Sequence, residues 1–254
     1  MANGTDNLSR LFGVTLDTLR MAHTPIPHCI GFIMDGNRRW ALAQGQDRLA
    51  GHVAGFETFK NVVRWVRDAG IAHAVFYAFS TENWKRSEEE VTTLLALFEQ
   101  ALREQYTQTE ADLADRSELG VRVRFIGQRH DFAPALQQLM SDLEERSNQY
   151  TGTTIWIALS YGGRAELVAA INTAIERGKP VDEATFRSLL WSAALPDVDL
   201  LIRTSGEQRI SNFLPWQLSY SELIFTPTYW PAFTKEAFDR MLEEYAARER
   251  RRGL

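Results

Sequence analysis

The run His28-Cys29-Ile30-Gly31-Phe32-Ile33 is dense in strand formers, is broken by Met34-Asp35-Gly36-Asn37, and restarts at once as Arg38-Arg39-Trp40-Ala41-Leu42-Ala43. That order predicts a buried strand, a tight loop and a helix start. Strands are also predicted over residues 72–79, 121–126, 153–160, 200–204 and 223–225. Helices are predicted between and after them, over 48–70, from Ser87 onward with Ser87 and Glu90 as a capping pair, over 134 to about 149, over 164–175, after Asp182, and over 234–252. Strands and helices in alternation predict an α/β fold with a central, mostly parallel sheet flanked by helices. At 254 residues, with no internal repeat, the expectation is one domain over 28–254. An accessory helix over 7–21, carrying Leu8, Leu11, Phe12, Leu16 and Leu19, and a Pro-containing linker to residue 27 precede it.

The residue types around the first loop point to phosphate chemistry. Asp35 at a strand's end can hold Mg²⁺, Gly36 lets backbone N–H groups approach an anion, and Arg38 and Arg39 add positive field. The ligand this suggests is a diphosphate with magnesium. The alternative is an ordinary turn with Asp35 as N-cap and solvated arginines. Arg48 and His52, four apart, share a helix face and extend the anion site. A second strand ends in Ser80-Thr81-Glu82-Asn83-Trp84-Lys85-Arg86. There Ser80 and Asn83 are candidate hydrogen-bonding groups, Arg86 is another anion ligand and Trp84 a flat apolar wall, as the crevice rule for open parallel sheets would place them. The alternative there is a polar surface loop. Arg203-Thr204-Ser205-Gly206-Glu207-Gln208-Arg209-Ile210-Ser211 makes a second anion cradle, or a structural loop held by an Arg203–Glu207 pair. Two cradles imply two diphosphate substrates.

Charge and cysteine usage limit the other possibilities. Against 33 acidic residues there are 28 basic ones, a net charge of -5, so no nucleic acid is expected as a partner. Cys29 is the one cysteine, which permits no internal disulfide and suits a reducing compartment. Neither a signal-peptide pattern nor an apolar stretch of about 20 residues is present, which predicts a cytoplasmic protein that touches a membrane surface at most transiently.

The motifs at residues 28–40, Phe79-Ser80-Thr81-Glu82-Asn83-Trp84-Lys85-Arg86, Tyr161-Gly162-Gly163-Arg164, 203–213, Trp216-Gln217 and Ser221-Glu222-Leu223 occur in the order seen in the cis-prenyltransferases, which the chain resembles from His28 onward. The resemblance implies a homodimeric, Mg²⁺-dependent transferase that condenses isopentenyl diphosphate onto an allylic diphosphate, farnesyl diphosphate being expected, to give a medium or long Z-polyprenyl diphosphate. It implies that Gly36, Asn37, Arg38, Arg39, Arg48 and His52 hold the allylic diphosphate around Asp35. Arg203, Arg209 and Ser211, joined by Arg39, would hold isopentenyl diphosphate. Trp40, Ser80, Thr81, Glu82, Trp84, Arg86 and Ile210 complete the substrate contacts it implies. Magnesium falls to Asp35 and Glu222, the latter from the neighbouring subunit. Asn83 takes the position of the proton-accepting group, although a carboxamide is a poor base and is better suited to orienting a water or a diphosphate oxygen. Arg251-Arg252-Gly253 matches an ending that in relatives reaches the partner's site.

Two features depart from typical bacterial members. The stretch from Ser87 to Val121 is longer by about one to two turns of helix, and Arg38 stands where many have glycine. The face Leu94, Leu95, Phe98 and Leu102, with the small Ala78 nearby, reads either as the wall of an apolar tunnel or as core packing. Two rivals remain in view. A non-catalytic scaffold subunit would lack the Asp-Gly-Asn loop, and a magnesium phosphohydrolase would release monophosphate.

Overall fold

A computed structural model describes residues 25–114 and 120–248. The expected helix over 7–21 and the ending at Arg251 and Gly253 lie outside them. Strand β1 (Cys29–Ile33) leads through α1 (Asn37–Ala43) and α2 (Arg48–Asp68) to β2 (His73–Ser80). A 3-10 turn (Thr81–Lys85) and the long α3 (Glu88–Ala114) follow, then β3 (Arg122–Ile126), a 3-10 turn (Arg129–Asp131) and α4 (Pro134–Ser147). Next come β4 (Thr154–Tyr161), α5 (Gly163–Glu176), α6 (Glu183–Arg187), β5 (Leu200–Arg203) and β6 (Glu222–Phe225). A last 3-10 turn (Trp230–Ala232) precedes α7 (Lys235–Ala247).

The six strands lie in the order β3-β4-β2-β1-β5-β6, and all five pairings are parallel. Because parallel strands are covered on both faces, their sequences are continuous apolar runs rather than alternating ones. On one face Phe32, Phe76 and Ile202 pack with Val62 and Val66 of α2, Met140 and Leu143 of α4, and Phe238 of α7. Phe32 stacks on Phe76 with ring centres 4.9 Å apart. On the other face Cys29, Val75, Trp156 and Leu201 meet Leu195, Phe213 and Leu218. Burial drives the Cys29 thiol far above its ordinary range, so it stays protonated and inert.

The order of strands fixes where a ligand can enter. From β1 the chain moves to β2 on one side, whereas β5 adds on the other, so the loops that leave β1 and β5 diverge at their C-terminal ends. Such a switch point leaves a crevice. Asp35 opens the loop after β1, and Thr204 to Ser211 follow β5.

Two expected helix ends are corrected. Helix α7 stops at Ala247 rather than 252, because Arg248 is extended (φ -78, ψ 134) and its guanidinium turns to Glu222 and Glu244. Ser87 does accept a long 3.4 Å bond from Glu90 N, but the Glu90 carboxylate takes Arg86 and Arg38 in place of a reciprocal cap. A two-way capping box forms earlier, at Ser80 and Asn83. With 27 residues, α3 extends about 40 Å.

Candidate active site

Asp35 does not cap α1. Its backbone is stitched to β5 and to the last 3-10 turn. Its N–H donates to Thr204 Oγ1 (3.0 Å), and its carbonyl accepts from Thr204 Oγ1 (2.7 Å) and from Trp230 N (3.0 Å). Gly36 occupies the N-cap position with φ 103 and no side-chain bond. A Cβ there would sit 2.8 Å from the Tyr229 ring, so both conformation and space call for glycine. The Asp35 carboxylate is held by Arg203 Nη2 (2.9 Å) on one oxygen and Arg39 Nη2 (3.1 Å) on the other.

Arg203 is the buried centre of the site, its side chain 4% exposed. Besides Asp35 it donates to Ser211 Oγ (2.7 Å) and to the Arg209 carbonyl (2.5 Å), while its Nε has no partner among the described residues. The Arg203–Glu207 pair of the alternative reading does not form, since Glu207 takes Arg39 (3.2 Å) and Arg209 (2.5 Å). Hydrogen bonding from Arg209, with Arg39 beside it, holds the Glu207 carboxyl below the usual range. Four non-glycine residues of this loop, Ser205, Ser211, Asn212 and Leu214, have positive φ. Such a concentration of left-handed backbone costs energy and is typical of binding loops held in place by their surroundings. Here the surroundings are Ser205 N to Thr228 O (2.7 Å), Arg164 N to Asn212 Oδ1 (2.8 Å) and the buried Phe213 ring stacked on Tyr77 at 4.5 Å.

A cavity of about 820 Å³ opens at this point. Its polar end is lined by Asp35, Asn37, His52, Ser80, Asn83, Arg86 and Arg203. From there it runs between α2 and α3 over the sheet, along Phe59 and Val63, Ala78, Leu97 and Phe98, and Ile155 and Ile157. At the polar end Asn37 Oδ1 and His52 Nε2 are buried without a partner among the described residues, as is Arg203 Nε. Buried polar atoms are normally satisfied, so these three mark where a polar ligand completes the bonding. Gly55 of α2 leaves room for the Asn37 side chain in this position, since a Cβ would fall 2.3 Å from its Oδ1. Burial, reinforced by Arg86 and Arg38 against the pull of Glu90, keeps the His52 imidazole below its ordinary range. His52 is therefore a neutral hydrogen-bonding group at pH 7, not an added cation.

Several expected contacts are placed elsewhere. Trp84 does not line the cavity: its ring packs on Phe79 and Phe132, and its Nε1 donates to Ser160 Oγ (2.8 Å). Leu95 packs toward the core, and Leu97 and Ala101 take its place on the cavity wall. Arg48 and Arg209 are exposed, as is Ser211, and Ile210 packs beside the Phe213 cluster. Trp40 is half-buried outside the cavity lining. Thr81 and Glu82 bond to each other, and Glu82 to Asn212 (3.1 Å). Arg38 reaches Glu90 Oε1 (3.3 Å), the oxygen that also takes Arg86 (2.9 Å). In the sequence Glu90 stood only as a helix cap and Thr204 only as part of the loop after a strand, so neither was singled out for the site. The i,i+4 spacing of Arg86 and Glu90 could have flagged the first; nothing local flags the second.

Glu222 is not beside Asp35 within one chain. It pairs in register with Leu200, which pairs with Ile30, five residues before Asp35, or roughly 15 Å back along the strands. Its carboxylate bonds Arg248 (2.7 Å). Among the described residues no three His, Cys, Asp or Glu side chains gather as a metal-binding group. Asp35 alone offers a carboxylate at the polar end, the other acidic lining residue, Glu104, being on α3. That donor set fits magnesium, which binds through one or two carboxylates with phosphate oxygens and water, and does not fit an all-protein cage.

With this geometry in place, comparisons with known proteins are informative. A prenyltransferase family model, described as undecaprenyl diphosphate synthase, matches residues 33–253. An isoprenyl transferase of Aquifex aeolicus is 42% identical over 229 residues, 90% of this chain and 96% of its own length. A Micrococcus luteus ditrans,polycis-undecaprenyl-diphosphate synthase, (2E,6E)-farnesyl-diphosphate specific, is 39% identical over 235 residues, 90% of this chain and 92% of its own. The crystal structure of lavandulyl diphosphate synthase from Lavandula x intermedia, in complex with dimethylallyl diphosphate, superposes with a TM-score of 0.83 at 32% identity, covering 90% of this chain and 99% of that one.

Gly36→Ala tests the loop geometry directly. The strained φ and the contact with Tyr229 should lower stability by about 1–3 kcal/mol. Urea unfolding measures it; an unchanged midpoint would mean that the loop relaxes freely.

Proposed function

The chain belongs to the cis-prenyltransferase family, and from that premise we propose that it condenses isopentenyl diphosphate with an allylic diphosphate, farnesyl diphosphate in the first instance. Repeated Z additions give a medium or long polyprenyl diphosphate such as undecaprenyl diphosphate, and inorganic diphosphate is released each time. The observation that carries this reading is one cavity with a cationic, hydrogen-bonding end at Asp35 and Arg203 and a continuation between α2 and α3 whose wall over the sheet is apolar. A phosphohydrolase has no use for the apolar part. A scaffold subunit would lack the Asp-Gly-Asn loop, which this chain keeps.

In the proposed reaction the allylic carbon–oxygen bond breaks and diphosphate leaves with the electron pair. The double bond of isopentenyl diphosphate supplies the electrons for the new carbon–carbon bond, and a proton is lost. Gly36, Asn37, Arg38, Arg39 and His52, with Arg48 at the rim, hold the allylic diphosphate around Asp35. Arg203, Arg209 and Ser211, with Arg39, hold isopentenyl diphosphate. A magnesium ion on Asp35 and the diphosphate oxygens would neutralise charge that builds on the leaving group. Arg39 and Arg203 already flank Asp35, so their guanidinium groups need no rearrangement to meet the same charge. The Ser80 N–H donates to Asn83 Oδ1 (3.0 Å), which leaves Nδ2 to orient the water or diphosphate oxygen that takes the proton. The growing prenyl chain gains roughly 0.8 kcal/mol per CH₂ by leaving water for the apolar wall.

A homodimer is the assembly proposed, because Glu222 of the same chain lies too far from Asp35 to share a metal with it. Among the described residues no helix is long and apolar enough to cross a membrane. A cytoplasmic enzyme that hands its product to a membrane surface fits that observation.

The reaction itself is tested by incubating the protein with labelled isopentenyl diphosphate and geranyl or farnesyl diphosphate. Products are resolved after dephosphorylation, and diphosphate release is separated from monophosphate release.

Three outcomes are expected. Asp35→Ala should lower turnover by orders of magnitude at an unchanged circular dichroism spectrum, and EDTA should mimic it; full turnover in the variant would remove Asp35 from the chemistry. Mixed chains carrying Asp35→Ala and Glu222→Ala, each inactive alone, should partly complement as heterodimers. An active, strictly monomeric protein in sedimentation would rule that out. Ala78→Leu fills the wall and should shift products to shorter alcohols with the first condensation little slowed; an unchanged ladder on thin-layer chromatography would show that Ala78 does not limit the tunnel.

A further inference from the structure

We propose that Asp131 is a positioning residue for the turn that carries Asn83, acting through Ser160 and Trp84, none of whose side chains lines the cavity. Strands β2 and β4 pair regularly up to Tyr77 and Ala158, then slip: the next partners are Phe79 with Leu159 and Ser80 with Tyr161. Ser160 is left out of the ladder at φ 45, fully buried. That conformation is costly for a serine, and it gives the hydroxyl two partners. Ser160 Oγ donates to Asp131 Oδ2 (2.5 Å) and accepts from Trp84 Nε1 (2.8 Å).

The order of donors makes Asp131 the organiser. The Asp131 oxygen accepts the hydroxyl's hydrogen bond, which leaves a Ser160 oxygen lone pair turned to the indole N–H, a group that only donates. Asp131 itself is set by the short turn before Phe132, whose ring packs on both Trp84 and Phe79. The preceding Arg129 is clamped on Glu144. Trp84 sits in the turn Thr81–Lys85, next to Asn83, with Ser80 and Arg86 at the turn's two ends. These three line the polar end of the cavity. A shift of the indole therefore moves three substrate-facing groups at once, and displacements on the order of 1 Å cost catalysis heavily.

The turnover part of the test rests on the proposed prenyl transfer; the exchange part does not. Asp131→Ala, Asp131→Asn and Ser160→Gly are compared with wild type by kcat and KM for isopentenyl diphosphate incorporation, by Tm, and by amide hydrogen exchange over residues 81–86. Asp131→Ala should lower kcat on the order of tenfold with KM changed by less than about threefold. Asp131→Asn, whose carboxamide oxygen accepts the same bond, should recover to within about threefold of wild type. Glycine adopts positive φ freely, which offsets part of the cost of leaving Trp84 Nε1 without its acceptor, so Ser160→Gly should lower Tm no more than Asp131→Ala does while kcat falls as far. Combining the two should add little to either. Exchange over 81–86 should quicken by about tenfold in both, with the strands unaffected. Unchanged exchange over 81–86 overturns the proposal whatever the turnover, and so does quicker exchange at wild-type kcat. If Asp131→Ala fails to fold, Ser160→Gly decides by the same criteria. A wild-type protein that incorporates no isopentenyl diphosphate removes the prenyl-transfer reading, and exchange alone then judges the anchoring of the turn.

Discussion

A guanidinium keeps its charge inside a protein, and the structure is arranged around the need to satisfy that of Arg203. Buried at the end of β5, it must find acceptors within reach or leave an unpaired charge in the interior. It finds Asp35 after β1, and Ser211 Oγ and the Arg209 carbonyl in its own loop. Those bonds draw together two loops that the strand order would otherwise let diverge. They also force the 205–214 segment to double back, which is where the left-handed backbone accumulates. With Asp35 already taken by two arginines, the polar end of the cavity is cationic overall yet presents one carboxylate. That combination suits the proposed diphosphate with its metal ion better than it would suit either alone.

The apolar part of the cavity follows from a different constraint. A parallel sheet needs helices on both faces, and α2, α3 and α4 cover one of them. Between α2 and α3 the cover does not close; Phe, Val, Leu and Ile side chains line the space over the sheet, and Lys60, Arg64, Arg67, Glu104, Gln105 and Gln108 of the two helices share the lining. An unfilled apolar lining of this kind loses contacts on one side and gains them when an apolar ligand enters. The irregular pairing of β2 and β4 lies at the junction of the two parts. It turns Ala78 toward the cavity and leaves Ser160 on the side of Asp131. One irregularity thus shapes a wall and anchors a turn.

Local order was legible in the chain to the extent that local physics decides it. Apolar runs ended by Asp-Gly-Asn, Ser-Thr-Glu-Asn or Thr-Ser-Gly specify strand, loop and helix whatever surrounds them, so element positions were readable to within a residue or two over most of the described chain. Asp35 and Arg203 were legible as candidates for the same reason, being charged groups at strand ends, where an α/β sheet opens its crevice, and Arg86 and His52 as candidates in the loop and on the helix face that follow. Bonding partners were not legible. Arg203 took Asp35 rather than the nearby Glu207, Glu90 took two arginines rather than a cap, and Trp84 turned into the core because a buried serine hydroxyl offered its indole an acceptor. Apart from the local Arg86–Glu90 pair, each choice was made by groups 50 to 170 positions away in sequence, as the separations 52 for Arg38 and Glu90, 76 for Trp84 and Ser160 and 168 for Asp35 and Arg203 record. The sequence by itself determined which segments are strands and helices and which charged groups end them, because those depend on neighbours a few residues away. Only the tertiary structure decided which charges pair, which aromatic rings face the ligand and that Glu222 lies far from Asp35, because strand order and register set distances that no local pattern contains.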